Sequence, residues 1–91
     1  MTLELYSIKD RLSGFNPPIP FIDKENAKRY FLSKCTEDKF FKLNIKDFSL
    51  WYMGIFDENS GIVASEPKLI IEGGEDGNEE NNTIQNNTIT A

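Results

Sequence analysis

The chain has 91 residues, a formal net charge of −5 and a hydrophobic fraction of 38%. This length allows one small domain with a thin core, although the 12% of aromatic residues supply large apolar area for each residue that is ordered. Histidine is absent and Cys35 is the single cysteine. Imidazole bases, zinc clusters of histidine or cysteine and internal disulfides are therefore excluded, and most enzyme classes with them.

Charge is distributed unevenly along the chain. Residues 24–46 contain seven lysines and arginines against three acids, whereas residues 47–91 contain Lys68 against nine acids. A basic middle segment can attract phosphates locally, because physiological salt screens charges beyond roughly 8 Å. The same pattern is also typical of a solvated helix face, and both interpretations stay open.

The N-terminal third predicts a strand followed by a stiff crossover. Residues 2–9 are rich in β-branched and aromatic side chains with partial alternation, which favours a first strand. Residues 13–20 contain three prolines, which fix φ and favour extended backbone. We expect this segment to be polyproline-like, with Phe15, Ile19 and Phe21 packed on the core as a lid.

A helix is predicted over residues 24–35. Asp23 is a good N-cap residue ahead of strong helix formers. Apolar side chains at helical spacing predict a buried stripe, which comprises Ala27, Tyr30, Phe31 and Lys34 or Cys35. Nothing nearby supplies a base for Cys35, so we expect it to be a buried structural thiol.

The second half predicts a short helical turn and a hairpin. Residues 36–43 begin with a capping residue, and residues 48–56 alternate so that both faces are apolar, as in a central strand. Residues 57–61 form a turn that needs a positive φ at Gly61, and residues 62–64 return as the partner strand. We expect Pro67 to end the pairing or mark an edge, with residues 68–71 as a final edge segment.

These elements predict an α+β domain at residues 1–71 with β-α-β-β order, in which one main helix packs on a three-stranded sheet. Beyond Ile71 the sequence changes to Gly, Glu, Asp, Asn and Thr, and the sequence NNTI occurs twice. Residues 72–91 are therefore predicted to be a disordered acidic tail. Its oxygen ligands lack the spacing of a calcium loop.

Four stretches occur in an order that is similar to a known family. They are LYSIKDR at residues 5–11, FNPPIPF at 15–21, NAKRYF at 26–31 and DFSLWYMGIFDENSG at 47–61. Together they resemble the small nonstructural protein of gokushoviruses, the single-stranded DNA bacteriophages of the microvirus family. The resemblance extends from about Leu5 to Pro67, and the tail matches no family pattern.

The resemblance implies a non-enzymatic protein that binds single-stranded DNA during replication or packaging of the phage genome in the host bacterial cytoplasm. No catalytic residue, metal or cofactor comes with it. Exposed rings would stack on bases and nearby cations would neutralise phosphates. The candidate nucleic-acid-binding residues are Tyr6, Lys9, Arg11, Lys24, Lys28, Arg29, Lys34, Trp51 and Tyr52.

An alternative function is a protein-interaction adaptor that binds a host replication or phage assembly factor through the hairpin edge or the Pro17–Pro20 segment. The net charge of −5 favours this alternative. We also expect a homodimer, and no membrane association because residues 50–56, the longest apolar run, are too few to span a bilayer. The acidic tail is expected either to compete with nucleic acid for the basic middle segment, to offer a handle to a partner, or only to improve solubility.

Overall fold

The computed structural model describes residues 1–74. Five strands and two helices follow one another, with a 3₁₀ turn at Ile45–Asp47 after the second helix. The strands are β1 (Thr2–Asp10), β2 (Gly14–Phe15), β3 (Ile19–Phe21), β4 (Phe48–Asp57) and β5 (Gly61–Glu72). The helices are α1 (Lys24–Glu37) and α2 (Lys39–Leu43). The predicted α+β class is confirmed.

The sheet is antiparallel and has β1 at its centre. One edge of β1 pairs with β2 and, further toward its start, with β3. The other edge pairs with β4 over its whole length, and β4 pairs with β5. Within residues 1–74 the sheet therefore has five strands, and the prediction of three was wrong.

The two additional strands come from the proline-rich segment. Gly14 has φ of +98°, which lets the chain reverse directly after β1. Pro20 pairs with Leu5 at the outer edge of the sheet, where a missing N–H disrupts no further ladder. The predicted lid is thus a pair of short edge strands, in which Phe21 packs against the core while Phe15 stays 42% exposed.

Helix α1 begins where its capping residue predicts. The Asp23 carboxylate accepts a hydrogen bond from the Asn26 backbone N–H at 2.9 Å. Ala27, Phe31 and Cys35, four residues apart, are buried and face the sheet. This confirms the predicted stripe and the buried thiol, whereas Tyr30 lies at the margin of the stripe and is partly exposed.

The core lies between α1 and one face of the sheet, which we call the helix-covered face. Strand residues Tyr6, Ile8, Phe48 and Leu50 are buried there, together with Ile71. Helix α2 follows Asp38, whose carboxylate accepts hydrogen bonds from the Phe40 and Phe41 N–H groups. The short helix extends this core because Phe41 stacks on Phe48, with ring centroids 4.1 Å apart.

The β4–β5 hairpin is irregular. Register shifts interrupt the ladder after Leu50 and again between Tyr52 and Gly54. Gly54 has φ of +135°, and a Cβ at that position would overlap the Val63 carbonyl oxygen. The predicted turn is confirmed by φ of +82° at Gly61. Pro67 does not end β5, which continues to Glu72 as the outermost strand of the sheet.

The chain is described as far as Gly74. The predicted disorder of the tail falls largely on residues 75–91, which lie outside the described residues; Glu72 still belongs to β5. None of the helices in residues 1–74 is long and apolar enough to cross a bilayer. In the same part of the chain, no group of three or more Cys, Asp or Glu side chains is arranged to hold a metal ion.

Candidate nucleic-acid interface

The second face of the sheet, which we call the helix-free face, carries the residues that alternate with the core. On β1 these are Leu3, Leu5, Ser7 and Lys9, because Tyr6 and Ile8 point to the helix. On β4, Trp51 belongs to this face, since it pairs with Ser7 and lies between Leu50 and Tyr52. The two ends of this face differ in chemistry.

One end carries a cation held against two aromatic rings. The Lys9 ammonium lies 5.0 Å from the centroid of the Phe15 ring and 5.2 Å from that of Trp51. The two rings meet edge to face, with centroids 5.7 Å apart and planes at 85°. We call these three residues the cation–aromatic cluster. Its geometry is that of a cation–π contact shared between two rings.

Strand register explains why these three side chains meet. Phe15 is the partner of Lys9 across the β1–β2 ladder, and Ser49 is its partner across the β1–β4 ladder. Trp51 lies two residues from Ser49 on the same face, so its ring reaches Lys9 diagonally. The Trp51 indole N–H donates to the Ser49 hydroxyl at 2.8 Å, which fixes the orientation of the ring.

Further charged groups surround a shallow cavity beside the cluster. The cavity has a volume of about 190 Å³, and it is lined by Lys9, Arg11, Lys46, Asp47, Phe48, Ser49, Trp51 and Glu72. The Arg11 guanidinium donates to the Asp47 carboxylate at 3.1 Å, and the Arg11 backbone N–H donates to the Asp47 carbonyl at 2.8 Å. Three cations and two carboxylates thus share this cavity, and the Arg11 side chain is 67% exposed.

The helix cations do not join this site. Lys24, Lys28, Arg29 and Lys34 belong to α1, which packs on the helix-covered face. Lys34 lies 3.8 Å from the Asp38 carboxylate and 5.4 Å from the centroid of the Phe41 ring. The sheet lies between these cations and Trp51, so the expected grouping of helix cations around exposed rings is not present.

Two of the three predicted rings also belong to the other face. Tyr6 is 2% exposed, and the prediction that its ring is exposed was wrong. Its hydroxyl donates to the Glu4 carboxylate at 2.6 Å, and its ring lies 5.5 Å from that of Tyr52. Burial, reinforced by Glu4, raises the pKa of the Tyr6 phenol far above its ordinary value.

The structure therefore brings together three of the nine candidate residues, namely Lys9, Arg11 and Trp51. Sequence reasoning missed Phe15, which it assigned to the core, and Lys46, which it only counted in the basic segment. Phe15 and Lys46 come close to the other three residues because of the register between strands. Neither residue spacing nor residue type in the sequence indicates that register.

The opposite end of the helix-free face is an apolar groove. Its volume is about 320 Å³, and its lining residues are Leu3, Leu5, Pro18, Pro20, Phe56 and Ile62. Ile62 is 67% exposed although it belongs to a strand. A surface of this kind is typical of a contact site for another apolar group.

Cys35 is not placed for nucleophilic chemistry. Cys35 is buried between the helix and the sheet, and burial raises the pKa of its thiol. A raised pKa keeps the thiol protonated at neutral pH and therefore unreactive. Its role is to fill the core beside Phe31.

The fold and this face define a small α+β protein whose curled antiparallel sheet exposes a cation–aromatic cluster. The model of the Phage ORF5 protein family matches residues 3–75, a range that includes all the strands and helices described above except Thr2, the first residue of β1. The chain belongs to this family and is a phage protein. Neither the curated proteins nor the solved structures contain a match.

Proposed function

We propose that this phage protein binds single-stranded DNA, without catalysing a reaction, during replication or packaging of the phage genome. The observation that supports the proposal best is the Lys9 ammonium against both the Phe15 and the Trp51 ring, on the face that no helix covers. The resemblance to gokushovirus nonstructural proteins supports a microvirus with a single-stranded genome as the source. It likewise supports the host bacterial cytoplasm as the place of action.

The chemistry of the cluster suits an unpaired strand. Every base has a π-face, and stacking on an aromatic side chain contributes about 1–3 kcal/mol per base with little regard to sequence. Trp51 and Phe15 each expose part of a ring. Lys9, Arg11 and Lys46 lie around the same cavity and would neutralise neighbouring phosphates. Duplex DNA hides its base faces, so this arrangement favours a single strand.

The overall charge does not oppose this function. Residues 1–74 contain ten bases and eleven acids, so most of the negative charge of the chain lies in residues 75–91. Screening confines the attraction of a phosphate to cations within roughly a Debye length, about 8 Å. Binding through three cations should be weak, and log affinity should fall against log salt with a slope of only about −2.

The test is a titration of fluorescently labelled oligothymidine by anisotropy at low and moderate salt. Replacing Trp51 by Ala should weaken binding about 5- to 150-fold, since it removes one stacking platform. Replacing Lys9 by Gln should reduce the slope of log affinity against log salt by about 0.7. The unfolding curve of each variant verifies that it is folded.

The matched control is the pair Lys28→Glu and Arg29→Glu on α1, which reverses two charges on the other side of the sheet. This pair should change affinity far less than Lys9→Glu alone. If wild type does not bind at low salt, the DNA-binding function is wrong. If only the helix pair abolishes binding, the protein binds DNA through the basic helix and the cation–aromatic cluster has no part.

A second candidate function is supported by the apolar groove. Its exposed side chains, Phe56 and Ile62 among them, suit an apolar segment of a host or phage protein, or of a second copy of this chain. Replacing Ile62 by Asp should then abolish co-purification of such a partner while leaving oligothymidine binding unchanged. Sedimentation equilibrium of wild type tests the expected homodimer directly.

A further inference from the structure

We propose that the acidic segment at residues 75–80 binds the cation–aromatic cluster and its neighbouring cations in the same molecule, and thereby competes with single-stranded DNA. The contact itself is independent of the proposed function, whereas the competition rests on it. The proposal moves the expected target of the acidic tail from the basic segment at residues 24–46 to the helix-free face of the sheet.

The first argument is the place where the chain leaves the fold. Glu72, the last residue of β5, lines the same cavity as Lys9, Arg11 and Lys46. The next residue is held there as well, because the Gly73 backbone N–H donates to the Phe48 carbonyl at 2.7 Å. The described part of the chain therefore ends, at Gly74, close to the margin of the cavity.

The second argument is the glycine pair that fixes this exit. A Cβ at Gly73 would overlap the Ile45 carbonyl oxygen, so only glycine allows the chain to pass this close to the 3₁₀ turn. Gly74 has φ of +88°, and a Cβ added at this position would reach van der Waals contact with the Lys46 side chain. The chain at Gly73 and Gly74 therefore packs against the 3₁₀ turn, which contributes Lys46 to the cavity.

The third argument is charge. The segment at residues 75–80 contains four carboxylates, namely Glu75, Asp76, Glu79 and Glu80, and no lysine or arginine follows Lys68. The cavity has three cations against two carboxylates, Asp47 and Glu72, and Asp47 pairs with Arg11. Within the fold, one of these cations thus already binds a carboxylate.

The fourth argument is the length of the tether. The first carboxylate, Glu75, directly follows Gly74 in the sequence, and a short tether gives an effective concentration of the order of millimolar. Half occupancy at that concentration needs about 4 kcal/mol, more than one exposed ion pair supplies, so several of the four carboxylates must contact the cations together. A polynucleotide must displace the segment to reach Lys9 and Trp51, and added salt weakens both contacts.

The first experiment follows the indole N–H resonance of Trp51 in the full chain without DNA. The sequence has one tryptophan, so this signal is unique. The neutral-tail variant carries Glu75→Gln, Asp76→Asn, Glu79→Gln and Glu80→Gln. At low salt its indole signal should differ from that of wild type, and high salt should move the wild-type signal toward that of the variant. Identical signals at low salt would overturn the proposal.

The second experiment measures oligothymidine affinity, with a control for net charge. The relocated-tail variant keeps the four neutral substitutions and adds Gln85→Glu, Asn86→Asp, Asn87→Asp and Thr88→Glu, so its net charge equals that of wild type. The neutral tail should bind on the order of tenfold more tightly than wild type at low salt. The relocated tail should bind severalfold more tightly than wild type, because its acids lie farther from the exit.

The outcomes separate the two proposals. Equal affinity of the relocated variant and wild type would mean that only net charge matters, which contradicts competition at this site. An indole shift without DNA binding by any variant would leave the tail contact intact and overturn the DNA-binding function. DNA binding by wild type without an indole shift would overturn the tail contact alone.

Discussion

The two faces of the sheet use aromatic side chains in opposite ways. On the helix-covered face, Tyr6 and Phe48 are buried against Phe31 and contribute to the core. On the helix-free face, Phe15 and Trp51 keep part of their rings in solvent and pack edge to face beside Lys9. The comparison teaches that aromatic abundance alone does not locate a binding surface, because the face on which each ring lies decides its role.

The largest expected difference between the faces is in stability. Replacing Phe31, which is 0% exposed, by Ala should lower the free energy of unfolding by about 3–5 kcal/mol, because a cavity forms in the core. The same change at Phe56, which is 39% exposed on the helix-free face, should cost no more than about 1–2 kcal/mol. Urea unfolding followed by circular dichroism measures both. Equal losses would mean that the two faces contribute alike to folding.

A smaller effect is expected where β4 and β5 approach each other most closely. Replacing Gly54 by Ala should cost about 2–4 kcal/mol, because φ is positive and the new Cβ overlaps the Val63 carbonyl. Gly61 is the control, since its φ is also positive but open space surrounds it. Gly61→Ala should cost only about 1–2 kcal/mol. Equal costs in thermal unfolding would mean that strain at φ, and not close strand approach, sets the requirement.

The smallest effect concerns the pH dependence of the helix-covered face. The pKa of Tyr6 is raised above the value near 10 of an unfolded tyrosine. Above that pH the unfolded chain loses its proton while the folded chain keeps it, so stability decreases as pH rises. Below that pH the group contributes no pH dependence.

Tyr6→Phe provides the control for this prediction. The variant loses the hydrogen bond to Glu4, at a cost of about 1 kcal/mol at neutral pH, and it loses part of the alkaline slope. Urea unfolding at a series of alkaline pH values measures both effects. An unchanged slope in Tyr6→Phe would mean that other groups cause the alkaline loss.

Local signals in the sequence predicted α1 and β4 well. Asp23 caps its own helix, and the spacing of Ala27, Phe31 and Cys35 follows the helical period, so neither feature depends on distant residues. The apolar alternation of residues 48–56 likewise predicted β4 from a local pattern, and the structure places this strand between β1 and β5. Capping and hydrophobic periodicity act within one helical turn or one strand, so the sequence alone was sufficient to predict these elements.

Local patterns could not predict which strands pair with each other or which face of the sheet the helix covers. Strands β2 and β3 contain two and three residues, which is too short for a period to appear, and the prolines around them favoured a crossover. The alternation of residues 48–56 did place Trp51 and Tyr52 on opposite faces, since neighbours in a strand point apart. Which face the helix covers was the missing information, and Tyr6 was assigned wrongly for that reason.

The pairing of β1 has a consequence for the order in which the protein forms. Its partners on one edge begin only a few residues after it, whereas its partner on the other edge begins at Phe48. Closing a short loop costs less chain entropy than closing a long one, so the β1–β2–β3 meander closes first. During synthesis on the ribosome, the second edge of β1 then stays open until β4 has emerged. A nascent chain paused before residue 48 exposes that edge to neighbouring chains.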